Sequence, residues 1–362
     1  MEFALSQDQR MLQQTIDAFV SQNVPIDAVR QAADGDTTTA DAIRQGLTEL
    51  GLPALLVPEE HGGLGLGLVE AVVLQEGLGR AVSPAGFLGS ALAAIGIAAA
   101  GSDEQKADTL PGLATGEIRF AIAVSDYAGA RDGAGVVAEN GTLTGTALFV
   151  LEAVGATHIL VADIMGALHI LPIDGDGVEQ SPLGTIDGSR DYTEFRFENA
   201  AASQLPAENQ SGLAADRMLA AARVIIAADS LGAAQHMLDE AVSYAGQREQ
   251  FGRVIGSFQA VKHLCAEMAA KIEPSRALVW HAAYALDAQD PEGQVMACLA
   301  KSHLAEVGTF VARTSTEVHG GMGFTDLLGL HFWFKRIGAN RQLFGGPEKT
   351  RAEAARLQGW TD

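Results

Sequence analysis

The 362-residue sequence has only two cysteines, Cys265 and Cys298, and neither sits in a CxxC or Cys/His ligand spacing. A disulfide framework and a structural zinc site are thereby excluded, and both thiols are expected in the core. Clustered Lys and Arg are absent, and 24 basic against 45 acidic side chains leave a net charge of −21. A surface that acidic repels nucleic acid and anionic membranes. No apolar run reaches the ~18–20 residues of a membrane span. The segment Met1-Glu2-Phe3-Ala4-Leu5 lacks the positive charge and apolar stretch of a secretion signal, so a cytoplasmic location is expected. Aromatics are scarce at 6 %, yet apolar residues reach 48 % and 41 glycines accompany 11 prolines. That composition describes a packed globular chain, long enough for two or three domains of ~150 residues.

The patterning divides the chain in three. Met11, Leu12, Ile16, Phe19 and Val20 recur at helical steps behind a Ser6/Gln9 capping box, and further helical windows cover 40–50, 68–79, 84–100 and 102–113. From Ile118 the texture becomes short β-branched or aromatic segments at 120–124, 135–138, 143–151, 158–162, 168–172 and 193–197. Asn140-Gly141 between two of them marks a tight hairpin, since both residues tolerate positive φ. From Gly212 the helical period returns in runs of 212–247, 257–287, 291–318 and 327–342, longer than ordinary globular helices. Pro274 should kink the second run and Gly320-Gly321 should end the third. The expected fold is mainly α with a central β domain: helices over 1–115, a small antiparallel β-barrel or sandwich over 116–208, and a four-helix bundle over 209–362.

Three distant segments carry a resemblance: Val57-Pro58-Glu59-Glu60-His61-Gly62-Gly63-Leu64-Gly65-Leu66; Gln247-Arg248-Glu249-Gln250-Phe251-Gly252-Arg253 with Phe258-Gln259-Ala260-Val261; and Glu317-Val318-His319-Gly320-Gly321-Met322-Gly323-Phe324. In this helix, β, helix order they resemble the acyl-CoA dehydrogenase family. The resemblance implies FAD as cofactor, an acyl-CoA thioester as substrate, and α,β-desaturation in which a carboxylate takes the α-proton. It also implies an electron-transfer flavoprotein as acceptor.

The segment that matches the family's base-bearing turn reads Leu343-Phe344-Gly345-Gly346-Pro347, with Gly345 where the carboxylate belongs. The alternative base position of some members matches Ala222-Arg223, which is likewise without an acid. Glu348 is the remaining candidate, although a helix-start acid explains it more simply. The ring-holding elements match Ser125 and Phe149-Val150-Leu151, where Leu151 replaces a hydroxyl; Ser125 keeps one hydrogen-bond donor. The pyrophosphate-and-adenine half is better kept. Arg248 and Phe251 match an element that reaches a neighbouring subunit's FAD, and Gln259, Glu317, Gly320, Gly321 and Gly323 belong to the same region.

This pattern resembles the base-lacking subunit of bacterial heterotetrameric steroid side-chain dehydrogenases. The implied partner is then a related dehydrogenase subunit. Two alternatives remain: a self-sufficient homotetramer with a displaced base, and a non-catalytic scaffold that binds CoA thioesters. His319 reads as a helix-end residue, and His263 with Glu267 at i, i+4 lacks the second pair that a di-metal site needs, so no metal is expected. The loop over 58–66 is read as a structural turn.

Overall fold

The computed structural model describes residues 4–124, 127, 135–206 and 211–361. Six helices come first: α1 (Gln7–Asn23), α2 (Ile26–Ala33), α3 (Thr37–Glu49), α4 (Leu68–Arg80), α5 (Leu88–Ala100) and α6 (Asp103–Thr115). The capping box is formed, with the Gln9 amide donating to Ser6 Oγ at 3.1 Å and the Ser6 amide to Gln9 Oε1 at 2.9 Å. Helix α2 has no counterpart in the sequence reading, because it is only eight residues long and buries Val29 alone.

Strands β1 (Phe120–Ala123), β2 (Gly135–Glu139), β3 (Thr142–Leu151), β4 (His158–Ala162), β5 (Leu168–Pro172), β6 (Val178–Pro182), β7 (Tyr192–Ala201) and β8 (Ser203–Gln204) form one sheet. Its order is β6-β7-β3-β1-β4-β5-β8, with β2 on β3. Pairing is antiparallel as expected except between β1 and β4, which run parallel from Phe120 opposite His158. The β2–β3 hairpin intervenes between them, so the chain re-enters the sheet in its original direction. Asn140 and Gly141 form the hairpin turn with φ of 53° and 82°. Strand β6 escapes the sequence reading because it has no apolar alternation and is almost wholly exposed.

Helix α7 (Ser211–Gln247) is followed by the hairpin β9 (Glu249–Gln250) and β10 (Arg253–Val254). Then come α8 (Gln259–Asp287), α9 (Gly293–His319), α10 (Leu330–Gln342) and α11 (Pro347–Leu357). Helices α7 and α9 are long and apolar enough to cross a membrane by length and composition, but protein covers 94 % and 67 % of their most apolar windows. They are the core of the bundle. Helix α4 crosses α7 at backbone contact: a Cβ on Gly79 would strike the Asp229 carbonyl, and one on Gly232 the Glu76 carbonyl. Helix α8 runs unbroken through Pro274, and α9 stops at Gly320, whose φ is 58°. Cys298 is buried as expected, whereas Cys265 is only half-buried on α8.

Candidate functional site

A cleft of about 710 Å³ opens between the sheet and the last two helices. The sheet contributes Phe149 and Tyr192, the loop before β7 contributes Ile186, and the turn between α10 and α11 contributes Phe344 and Gly345. A bulge between Ala147 and Val150 gives Phe149 a φ of 53° and aims its ring into the cleft. Leu151, two residues on, is buried and has no donor to offer. The lining is therefore mostly apolar.

Two carboxylates line this cleft, and neither is free. Asp187 is buried: one oxygen accepts from the Ser189 amide at 3.1 Å and from the Ser189 hydroxyl, the other from Tyr192 Oη at 3.0 Å and Arg336 Nε at 3.2 Å. Glu348 stands at the rim on the first turn of α11, 74 % exposed and paired with Arg341 at 3.2 Å.

The floor is held from beneath by two buried cations. Arg223 on α7 donates to the Phe344 carbonyl at 3.0 Å and forks onto Glu353 at 2.8 and 2.7 Å. Lys301 on α9 donates to the carbonyls of Gly345 at 3.0 Å and Arg341 at 3.1 Å. Successive carbonyls of the turn are thus gripped from below. Arg223 Nη1 also meets Cys298 Sγ at 3.2 Å, and burial pushes that thiol up to about 11, which disfavours the thiolate at neutral pH. Gly345 has a φ of 103°, so any side chain there is strained, and its Cβ would lie 3.3 Å from Thr350.

Burial, with Arg223 and Arg341 adding to it, pulls the Lys301 amine down from 10.5 to about 7. Above pH 7 and below 10.5 the unfolded chain therefore binds more protons than the folded one, and stability rises with pH across that window. Lys301→Met should lose this slope. Urea midpoints at the two ends of the window, compared between the variant and the original protein, check it; equal slopes would refute the assignment.

Behind the cleft lies a buried polar network. Asp229 on α7 is fully buried and accepts from Gln75 at 2.7 Å and Asn340 at 2.6 Å, with Arg190 at 3.3 Å and Arg336 at 3.5 Å. Arg336 continues to Asp187 and to the carbonyls of Ser83 at 3.0 Å and Ser189 at 2.8 Å. Desolvation works against the Asp229 charge, but the two guanidiniums outweigh it and hold its carboxyl below the usual range. One carboxylate thus joins α4 and α7 to α10 and the loop before β7, the last two of which line the cleft.

Of the residues singled out from sequence, Phe149, Gly345 and Glu348 line the cleft, and those expected to reach a neighbouring subunit's FAD lie elsewhere. Arg248 and Phe251 stand on the β9–β10 hairpin segment, Gln259 opens α8, and Glu317, Gly320, Gly321 and Gly323 surround the end of α9. The ends of α7 and α9 are joined by Tyr244 tilted against His319 with ring centroids 4.7 Å apart and by Ser315 Oγ donating to the Met237 carbonyl at 2.7 Å. Six of the seven are exposed, Gly323 is buried, and none lines the cleft. Phe251 is 93 % exposed and meets Phe258 edge-on at 6.2 Å, while Arg253 lies 4.0 Å over the Phe258 ring. Ser125 lies outside the described residues.

Comparison with known proteins adds the identity of this architecture. Residues 6–117 match the acyl-CoA dehydrogenase N-terminal domain and residues 212–357 the acyl-CoA dehydrogenase C-terminal domain. The chain belongs to the acyl-CoA dehydrogenase family. It is 31 % identical over 95 % of both chains to acyl-CoA dehydrogenase IpdE2 of Mycobacterium tuberculosis. Among solved structures, a chain of the Tcur3481-Tcur3483 steroid ACAD is 28 % identical with a TM-score of 0.89 and covers 98 % of each chain. A chain of the ChsE4-ChsE5 complex from Mycobacterium tuberculosis, at 24 % identity and a TM-score of 0.89, shares the fold over the full length of both.

FAD is the cofactor of this family, and its members are oxidoreductases acting on CH–CH bonds. Within this acyl-CoA dehydrogenase the sequence reading found the bundle-end residues but not Asp229, Arg336 or Lys301. A signal was present for each: a charged residue inside an apolar helical stretch, such as Asp229 after Val224-Ile225-Ile226, must find a buried partner.

Proposed function

We propose that this chain is a subunit of a heteromeric FAD-dependent acyl-CoA dehydrogenase. In this reading it lends the across-interface half of an FAD site to a related subunit that carries the ring site and the base. The chain keeps the three domains 1–115, 116–208 and 209–362 and works in the cytoplasm. An acyl-CoA with a bulky, steroid-like acyl group is the substrate class, supported by the likeness to the steroid ACAD chain. An electron-transfer flavoprotein takes the electrons.

The observation that carries this reading is the state of Arg248. In a chain with a net charge of −21, Arg248 and the neighbouring Arg253 have no carboxylate partner among the described residues. An exposed guanidinium fork on the same hairpin as Phe251 suits a diphosphate delivered by another subunit, and Gly320 and Gly321 after α9 are assigned to the same contact. Gln259 and Glu317 complete the proposed contact set, with Glu317 facing a ribose hydroxyl because a carboxylate repels phosphate, while Ser125 remains the one donor proposed for the ring side.

The chain's own cleft fits the flavin ring and the desaturation less well. Phe149 enters it without an indole N–H, Leu151 has no hydroxyl, and Gly345 leaves the base position without an acid. The bound FAD would supply hydride acceptance in the assembled enzyme; this chain's residues bind and orient its phosphate end.

Assayed alone with acyl-CoA substrates, the chain should show no desaturation, and activity should appear only with a companion subunit carrying the glutamate. Glu348→Gln in that complex should leave turnover within about twofold, since surface substitutions of a paired rim acid change little. Loss of turnover with flavin content unchanged would instead identify Glu348 as a displaced base in a self-sufficient enzyme.

A further inference from the structure

Arg119, just before β1, has no hydrogen-bond or ion-pair partner for its guanidinium among the described residues, and its Nε is buried and unsatisfied. Its backbone is fixed, however, by the Thr157 hydroxyl at 3.0 Å and by the amides of Thr157 and His158 on its carbonyl. The backbone is thus fixed while the guanidinium has no described group to hold.

What it faces is a second guanidinium. A Cβ on Gly155 would lie 3.3 Å from Arg119 Nη2 and 3.6 Å from Arg44 Nη1, so the two cations flank the same point. Burial and the Arg44 charge both lower the Arg119 pKa, and Asp41 offsets them only in part. Arg44 is itself paired with Asp41. The two arginines line a cavity of about 30 Å³ with Ser90, Thr48 and Glu152.

Glu152 feels the Arg44 charge but makes no hydrogen bond to either arginine among the described residues. Its carboxylate spans the start of α5, accepting from the Leu88 amide at 3.0 Å and the Gly89 amide at 2.9 Å, and burial raises its pKa. The Ser90 hydroxyl has no partner among the described residues, and Thr48 Oγ1 donates to the Arg44 carbonyl at 3.0 Å. Two like charges therefore converge on a cavity that holds more than one water but no large group. A buried guanidinium N–H left unmade costs stability, and in a chain with 45 acidic side chains no described carboxylate satisfies it.

We infer that this cavity is an anion site, in which a small oxyanion group, a carboxylate or a phosphate, bridges Arg44 and Arg119 with Ser90 donating a third hydrogen bond. Occupancy ties α3 and α5 of the helical part to the first strand of the sheet. The site is separate from the cleft and from the bundle end, and shares no residue with either.

The test is thermal unfolding of the original protein and of Arg119→Gln in a buffer free of oxyanions. Inorganic phosphate or acetate is then added at constant ionic strength, with chloride as the control. Without oxyanion, Arg119→Gln should melt at the same temperature or higher, because the repulsion is relieved. That comparison also shows that the variant folds. Adding phosphate or acetate should raise the Tm of the original protein by a few degrees and leave the variant unmoved, and the arm that acts identifies the anion's chemistry. Arg119→Lys, which keeps the charge, should retain part of the response. An equal response in the original protein and Arg119→Gln, a response matched by chloride, or none at all would overturn the inference.

Discussion

Asp229→Ala should lower the stability of the protein by ~3–5 kcal/mol, the cost of stripping a buried ion pair of one partner. The substitution leaves Arg190 without its ion-pair partner and Arg336 with Asp187 alone, and takes from Gln75 and Asn340 the carboxylate their side-chain amides donate to. Because these groups come from α4, α10 and the loop before β7, the damage reaches two of the segments that line the cleft, α10 and that loop. Urea unfolding measures the loss, with Asp8→Ala on exposed α1 as a control expected within about 0.5 kcal/mol of the original protein. A loss below 1 kcal/mol for Asp229→Ala would show that the network is not a keystone. The pH dependence has a definite sign. The Asp229 carboxyl is held below its ordinary value of 3.8, so its contribution is complete above that pH and is lost as pH falls through the folded value.

In the assembled enzyme, Arg248→Ala should weaken flavin retention about 10- to 100-fold, the loss expected for charge-assisted hydrogen bonds to phosphate. Arg248 has no structural partner in its own chain among the described residues, so the folded subunit should be unaffected. Arg248→Lys keeps the charge without the fork and should fall between the two. Titration of the deflavinated complex with FAD, read by flavin fluorescence, checks the order. Unchanged affinity in Arg248→Ala would place the diphosphate elsewhere.

The architecture was legible in the residues because periodicity and caps agree with tertiary burial. The Ser6/Gln9 box, the Asn140-Gly141 turn and the stop at Gly320 are all local events with local chemistry. What escaped was set by contacts distant in sequence. Helix α2 buries a single residue, β6 has no buried face, and the parallel β1/β4 pair depends on how the chain returns to the sheet. The same division runs through the candidate site. Arg248, Phe251 and the glycines after α9 are readable as motifs, whereas the cleft floor depends on Arg223 and Lys301 reaching the turn from helices 121 and 44 residues away. Phe332 and Trp333 are buried, while Phe334 beside them lines the cleft, a division that adjacent aromatics in the sequence do not reveal.

The claim that this chain lends half of an FAD site and does not hold a flavin by itself is tested most directly by its visible absorbance. The spectrum is taken first on the chain purified alone and then after co-expression with a glutamate-bearing acyl-CoA dehydrogenase subunit. The account predicts a colourless protein alone and a yellow complex with one flavin for each pair of unlike subunits. A yellow protein alone, bleached by an acyl-CoA in the absence of air, would contradict it.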